Sequence, residues 1–154
     1  MNGTVARAAN HAVILLVEDF RPLLLAMQNL LESSRYTVLP AGAPEEALRF
    51  QEQAESSIHL LLTRLLLPGM TGPALAAQVR IRAPNLAVLY MSDDLNPWLG
   101  GAFETDIRAS LLPNPFTEEI LLKRVRALLL PSPGDASRSR PRFDLSELFS
   151  PGKR

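Results

Sequence analysis

The chain has 154 residues, of which 47% are hydrophobic, and its formal net charge at pH 7 is zero. This length and composition fit one globular domain with a tail, and they argue against a disordered chain. With no cysteine and only His11 and His59 as histidines, the sequence excludes disulfides, thiolate metal sites and cysteine nucleophiles. Zero net charge gives no overall attraction to nucleic acid or to a membrane surface, and we expect neither as a partner.

The first long apolar run, residues 12–17, is too short to cross a membrane, which takes about 20 residues. It ends in Glu18 and Asp19, unlike a signal peptide with a small-residue cleavage site. We therefore predict a cytoplasmic protein.

Short apolar runs alternate with helical patterns along the chain. The apolar runs predict five buried strands, at residues 12–17, 36–39, 58–63, 87–91 and 109–112. The helical patterns predict five helices, at residues 22–33, 44–53, 73–81, 97–103 and 117–130. Pro40 is expected to close the second strand, and residues 68–72, with a proline and two glycines, predict a loop.

This alternation predicts a parallel sheet with helices on both faces. In such sheets the functional crevice lies at the carboxyl ends of the strands. The composition changes near Pro131, which predicts a domain over residues 11–130 and a proline- and serine-rich tail over residues 131–154 that we expect to be flexible.

Four segments resemble the CheY-like receiver domains of response regulators, over about residues 11–130. VILLVEDFRP resembles the first strand and its acidic turn, and LLLTRLLLPGMTG the third strand and the following loop. VLYMSDD resembles the fourth strand with its hydroxyl residue, and LLPNPFTEEILLKRV the fifth strand, the proline turn and the last helix. The resemblance implies an α/β, flavodoxin-like, doubly wound fold: a five-stranded parallel sheet in the order 2-1-3-4-5 with five helices, followed by the tail.

The resemblance also implies a function, which is phosphoryl transfer from a histidine kinase to an aspartate at the end of the third strand. Four positions of the family's pocket are kept in this chain. Glu18 and Asp19 match the acidic pair that holds Mg²⁺, and Ser92 matches the hydroxyl that contacts the phosphoryl group. Pro115 matches the proline after the conserved lysine, and its peptide bond is usually cis in the family.

Four other positions depart from the family. Arg64 stands where the aspartate nucleophile is expected, and a guanidinium is always cationic and cannot attack phosphorus. Asn114 replaces the lysine and supplies no charge, Asp93 replaces a small residue, and Leu111 replaces the aromatic residue of the fifth strand. These departures predict a degenerate receiver, or pseudo-receiver, that is not an enzyme and takes no cofactor.

The departures also predict how the pocket is held together. We expect Arg64 to pair with Glu18 and Asp19 as a built-in counter-cation, with Asp93 as a third partner. Weak Mg²⁺ binding at Glu18 and Asp19 is the alternative.

Leu95, Trp98, Leu99, Phe103 and Leu111 are candidates for a protein interface, with packing in the core as the alternative for the first four. The expected partner is a protein, either a histidine kinase or another response regulator, and the expected state is a monomer or weak homodimer.

Two other functions remain open. One is a working phosphoacceptor that uses a displaced carboxylate: Asp19, Asp93 or Asp94. The other is an unrelated flavodoxin-like enzyme, which the absence of a glycine-rich phosphate loop after the first strand disfavours.

Overall fold

A computed structural model describes residues 12–54, 57–93 and 109–130 of the chain. Their centre is a five-stranded parallel sheet in the order β2-β1-β3-β4-β5. The strands are β1 (Val13–Val17), β2 (Thr37–Ala41), β3 (Leu60–Arg64), β4 (Ala87–Ser92) and β5 (Ala109–Pro113). The flavodoxin-like, doubly wound fold is therefore confirmed, with the predicted strand order.

Four helices lie within the described residues, and each begins within one residue of its predicted start. They are α1 (Arg21–Ser33), α2 (Pro44–Gln53), α3 (Gly72–Arg82) and α4 (Glu118–Leu129). At the start of α4 the Thr117 Oγ1 accepts a hydrogen bond from the Ile120 N–H at 3.1 Å, as an N-cap residue does. The predicted helix at 97–103 lies outside the described residues. Of the helices described, none is long and apolar enough to cross a membrane.

Both faces of the sheet are buried, which explains why the strands read as continuous apolar runs. Alternate residues of β1 point to opposite faces: Leu15 packs with the side chains of α2 and α3, and Leu16 with those of α1 and α4. Truncating one of these fully buried leucines to alanine is expected to cost about 2–5 kcal/mol. This packing holds the strands in place, and the residues that follow each strand are positioned with them.

Two local predictions are wrong. Pro40 does not close the second strand, since β2 continues to Ala41. β2 is an edge strand of the sheet, where a residue without an N–H donor is tolerated.

The predicted loop over residues 68–72 is instead partly regular. Leu66–Leu67 pairs antiparallel with Met70–Thr71, and Gly72 already belongs to α3. Pro68 and Gly69 form the turn between the two short strands, and Gly69 takes a φ of 82°, which favours glycine. The sequence signals for a turn were correct, but the turn lies inside a hairpin.

Candidate functional site

The carboxyl edge of the sheet gathers the residues that the sequence singled out. Glu18 follows β1, Arg64 ends β3, Asp93 follows β4, and Asn114 and Pro115 follow β5. Because parallel strands end on the same edge, residues far apart in the sequence become neighbours there.

Arg64 lies among three carboxylates, which is the arrangement expected from the sequence. Its Nη1 is 3.8 Å from Glu18 Oε1, its Nε is 3.7 Å from Asp19 Oδ1, and its Nη2 is 3.7 Å from Asp93 Oδ2. These distances exceed the about 2.7–3.2 Å of an N–H···O hydrogen bond, so the contacts are ion pairs. One guanidinium is thus shared almost equally by three anions.

Glu18 is the buried member of this group. Its side chain has no exposed surface, whereas those of Asp19 and Asp93 are 40% and 68% exposed. Glu18 Oε2 accepts a hydrogen bond from the Phe20 N–H at 2.8 Å, but Oε1 has no hydrogen-bond partner among the described residues. Burial raises the pKa of the Glu18 carboxyl above its usual value, while the Phe20 hydrogen bond and the Arg64 charge oppose the shift and the Asp19 charge adds to it.

The backbone of Arg64 is held by the segment that follows it. The Leu65 N–H donates to the Met91 carbonyl at 2.8 Å, and the Gly72 N–H donates to the Leu65 carbonyl at 2.7 Å. A Cβ at Gly72 would lie 2.6 Å from the Arg64 carbonyl oxygen and 2.9 Å from the ring of the buried Tyr90. Only glycine therefore allows α3 to start this close to the end of β3.

The remaining residues carried over from the resemblance lie beside this group. Ser92 is buried, and its carbonyl accepts a hydrogen bond from the Asn114 N–H at 2.9 Å. The peptide bond between Asn114 and Pro115 is cis, as the resemblance implied.

Of the five interface candidates, the structure describes only Leu111. Leu111 is fully buried, pairs in register with Tyr90 and packs in the core beneath α2 and α3. Its assignment to an exposed interface is therefore wrong: it lies on a strand that is buried on both faces. The other four candidates, Leu95, Trp98, Leu99 and Phe103, lie outside the described residues.

An open pocket of about 450 Å³ lies at this edge of the sheet. Arg64, Asp93, Asn114 and Pro115 line it, together with three apolar residues that the sequence reasoning did not assign to the site: Phe20, Leu23 and Phe116. Phe20 is 61% exposed, which is unusual for a large aromatic side chain. Phe20 directly follows the acidic pair and Phe116 directly follows Pro115 in the sequence, and that adjacency is the signal that could have identified these two residues.

The magnesium ion implied by the resemblance does not fit these residues. Within the described part of the chain, no group of three or more histidine, cysteine, aspartate or glutamate side chains is arranged to hold a metal. The carboxylates that would bind Mg²⁺ already face the guanidinium of Arg64, and a second cation there would be repelled.

Comparison with known proteins agrees with the fold. The family model described as the response regulator receiver domain matches residues 14–126. The crystal structure of the receiver domain of the hybrid histidine kinase CckA superposes with a TM-score of 0.65 at 29% identity, covering 77% of this chain and 99% of that one. The Vibrio cholerae chemotaxis protein CheY4 superposes with a TM-score of 0.69 at 23% identity, which shows a shared fold.

Among curated proteins, this chain is 27% identical over 118 residues to the sensor kinase CckA of Brucella abortus, covering 77% of this chain and 12% of the kinase. It is 34% identical over 118 residues to the regulatory protein VanRB of Enterococcus faecalis, covering 75% of this chain and 51% of that protein. The chain thus spans about half or less of the length of these relatives.

Proposed function

Because the chain belongs to the response regulator receiver domain family of two-component signalling, we propose that it is a degenerate receiver that acts through protein contacts without being phosphorylated. The observation that carries this proposal is the position of Arg64. It ends β3, where the family has its phosphoacceptor, and its guanidinium faces Glu18, Asp19 and Asp93. A guanidinium cannot form an acyl phosphate.

The rest of the pocket supports the same proposal. Asn114, in the lysine position, has no charge with which to stabilise a phosphoryl oxygen. Asp19 and Asp93, two carboxylates that a displaced phosphoacceptor could use, are both paired with Arg64. Leu111, which stands in the position of the family's aromatic residue, is fully buried in the core. β5 therefore offers no aromatic side chain that could couple phosphorylation to the surface.

The proposed partner is a histidine kinase or another response regulator, since relatives of the chain include a sensor kinase and a regulatory protein. In this proposal the partner binds to the surface of the domain. A cytoplasmic location and a monomer or weak homodimer belong to the same proposal.

Acetyl phosphate with Mg²⁺, followed by intact mass spectrometry, tests this function. We expect no gain of a phosphoryl group, because Arg64 occupies the acceptor position. A receiver domain with an intact aspartate and lysine serves as the positive control. Stoichiometric addition of one phosphoryl group that maps to Asp19 or Asp93 would establish the displaced phosphoacceptor instead.

A further inference from the structure

The residues that line the pocket at the carboxyl edge are mostly apolar. Arg64 and Asp93 line it with opposite charges, so these two charges together favour neither a cation nor an anion as the occupant. Phe20 is 61% exposed, and a large apolar side chain that covered this ring would remove apolar surface from water. The pocket therefore fits an apolar occupant. Its apolar lining residues are Phe20, Leu23, Pro115 and Phe116.

The large apolar side chains of the tail are concentrated in one short segment of the sequence. Residues 143–149 read FDLSELF, whereas residues 131–142 contain no apolar residue larger than proline. Asp144 and Glu147 have the spacing of a helix-capping box, with aspartate in place of serine or threonine. If the segment forms a helix, the spacing i, i+3, i+4 places three apolar side chains on one face. They are Leu145, Leu148 and Phe149.

α4 ends in a position from which this segment can reach the pocket. The helix begins two residues after Phe116, and its 12 residues carry the chain about 18 Å away from the carboxyl edge. Leu129, at its end, packs against the same core cluster as Leu23 and Phe116, so the chain leaves α4 on their face of the sheet. Residues 131–142 can span up to about 40 Å when extended, well beyond the distance that the chain has to return.

The covalent link makes a weak contact sufficient. A segment joined to its site by a short linker is held there at an effective concentration in the millimolar range. A contact with a dissociation constant of about 1 mM is then occupied about half of the time, whereas a separate peptide at micromolar concentration would leave the pocket empty. The link therefore favours the tail of the same chain over an unattached apolar peptide.

We propose that residues 143–149 dock in this pocket of the same molecule, where their apolar face covers the ring of Phe20. Residues 131–142 serve as the tether. This inference goes beyond the proposed function and does not depend on phosphorylation. Docking covers the carboxyl edge of the sheet, so a protein partner that binds there has to displace the tail; this consequence alone rests on the proposed function.

Nitroxide labelling of the full chain tests the docking. The sequence has no cysteine, so Ser150→Cys gives a single labelling site. In the ¹⁵N-labelled protein we expect the label to broaden the amide signals of Phe20, Leu23 and Phe116, and reduction of the nitroxide to restore them. The amide of Ile81, an exposed residue of α3 on the other face of the sheet, should keep its intensity. Broadening at Ile81 without broadening at Phe20, or no broadening in the domain at all, would overturn the proposal.

A pair of substitutions in the labelled chain locates the contact. Phe20→Ser should remove most of the broadening at Leu23 and Phe116, because it takes away the exposed aromatic wall of the pocket. Leu25→Ser is the matched control: Leu25 is an apolar residue of α1 that is 46% exposed and does not line the pocket, so this change should leave the broadening as it was. Equal broadening in the wild type and in Phe20→Ser would contradict docking at this site.

A mixture of spin-labelled ¹⁴N protein and unlabelled ¹⁵N protein distinguishes the tail of the same molecule from that of a second copy. We expect no broadening in the mixture, because the contact is intramolecular. Broadening of Phe20 and Phe116 as strong as within the labelled chain would assign the pocket to a second copy and overturn the proposal. These measurements contain no phosphodonor, so their failure is distinguishable from failure of the proposed function, which the acetyl phosphate experiment decides.

Discussion

Glu18 is fully buried, yet one of its two carboxyl oxygens lacks a hydrogen-bond donor in the described structure. Burial raises its pKa, against the opposing effects of the Phe20 hydrogen bond and the Arg64 charge. The single guanidinium therefore does not fully offset the cost of burying this charge. An acid in this condition binds its proton more tightly in the folded chain than in the unfolded chain.

This property predicts a pH dependence of stability. A carboxyl whose folded pKa is raised stabilises the fold below its ordinary value of 4.5, and that contribution is lost as the pH rises through the raised pKa. Glu18→Gln removes the titration, so the free energy of unfolding of the wild type should fall relative to that of Glu18→Gln as the pH rises above 4.5. Urea unfolding at a series of pH values measures this difference, with Glu52→Gln as the control for an exposed glutamate. If the curves of wild type and Glu18→Gln stay parallel, the protonation of Glu18 is not coupled to folding.

At the scale of elements, the connection between β3 and α3 sets the position of Arg64. The short hairpin from Leu66 to Thr71 returns the chain so that α3 begins directly beside the Arg64 carbonyl. The Tyr90 ring closes the other side of this contact. The guanidinium therefore projects from a backbone held by β4 on one side and by the start of α3 on the other.

Gly72→Ala tests the tightness of this connection. The added Cβ would lie 2.6 Å from a backbone oxygen, which must shift, and such overpacking costs about 1–3 kcal/mol. Gly42→Ala is the matched control, because a Cβ there would meet only Glu46 Oε1 at 3.8 Å, and the change should stay within about 1 kcal/mol. Thermal or urea unfolding compares the two variants. Equal effects would mean that the β3–α3 connection adjusts freely.

The sequence predicted the elements well where their residues are buried on both faces. The continuous apolar runs of β1, β3 and β4 leave few alternatives once helical patterns separate them. The strand position of Pro40 and the hairpin were not predicted, because proline and glycine usually indicate a turn or the end of a strand. Pro40 is compatible with a strand only because β2 lies at the edge of the sheet, which is a tertiary feature.

The sequence predicted less of the candidate site than of the fold. The meeting of Arg64 with Glu18 and Asp19 follows from the shared edge of parallel strands. The complete burial of Glu18 does not follow, since a carboxylate after a strand is usually exposed and only packing decides otherwise. The sequence did not predict the exposure of Phe20 either, because an aromatic residue beside a helix start ordinarily belongs to the core.

At the scale of the described molecule, the sheet brings three carboxylates and one guanidinium to the same edge. In this account Arg64 is always present because it is part of the chain, whereas a metal ion must be bound from solution. The fold of a receiver is kept, and we propose that Arg64 takes the place of the divalent cation at its acidic pair.

Calorimetric titration of Mg²⁺ into the wild type and into Arg64→Asp tests this claim most directly. Arg64→Asp removes the internal cation and places a third carboxylate beside Glu18 and Asp19, so we expect measurable Mg²⁺ binding to the variant and none to the wild type at the same concentrations. Circular dichroism confirms that both proteins are folded under the conditions of the titration. If the wild type binds Mg²⁺ as well as Arg64→Asp does, Arg64 does not act as the counter-cation of the pocket.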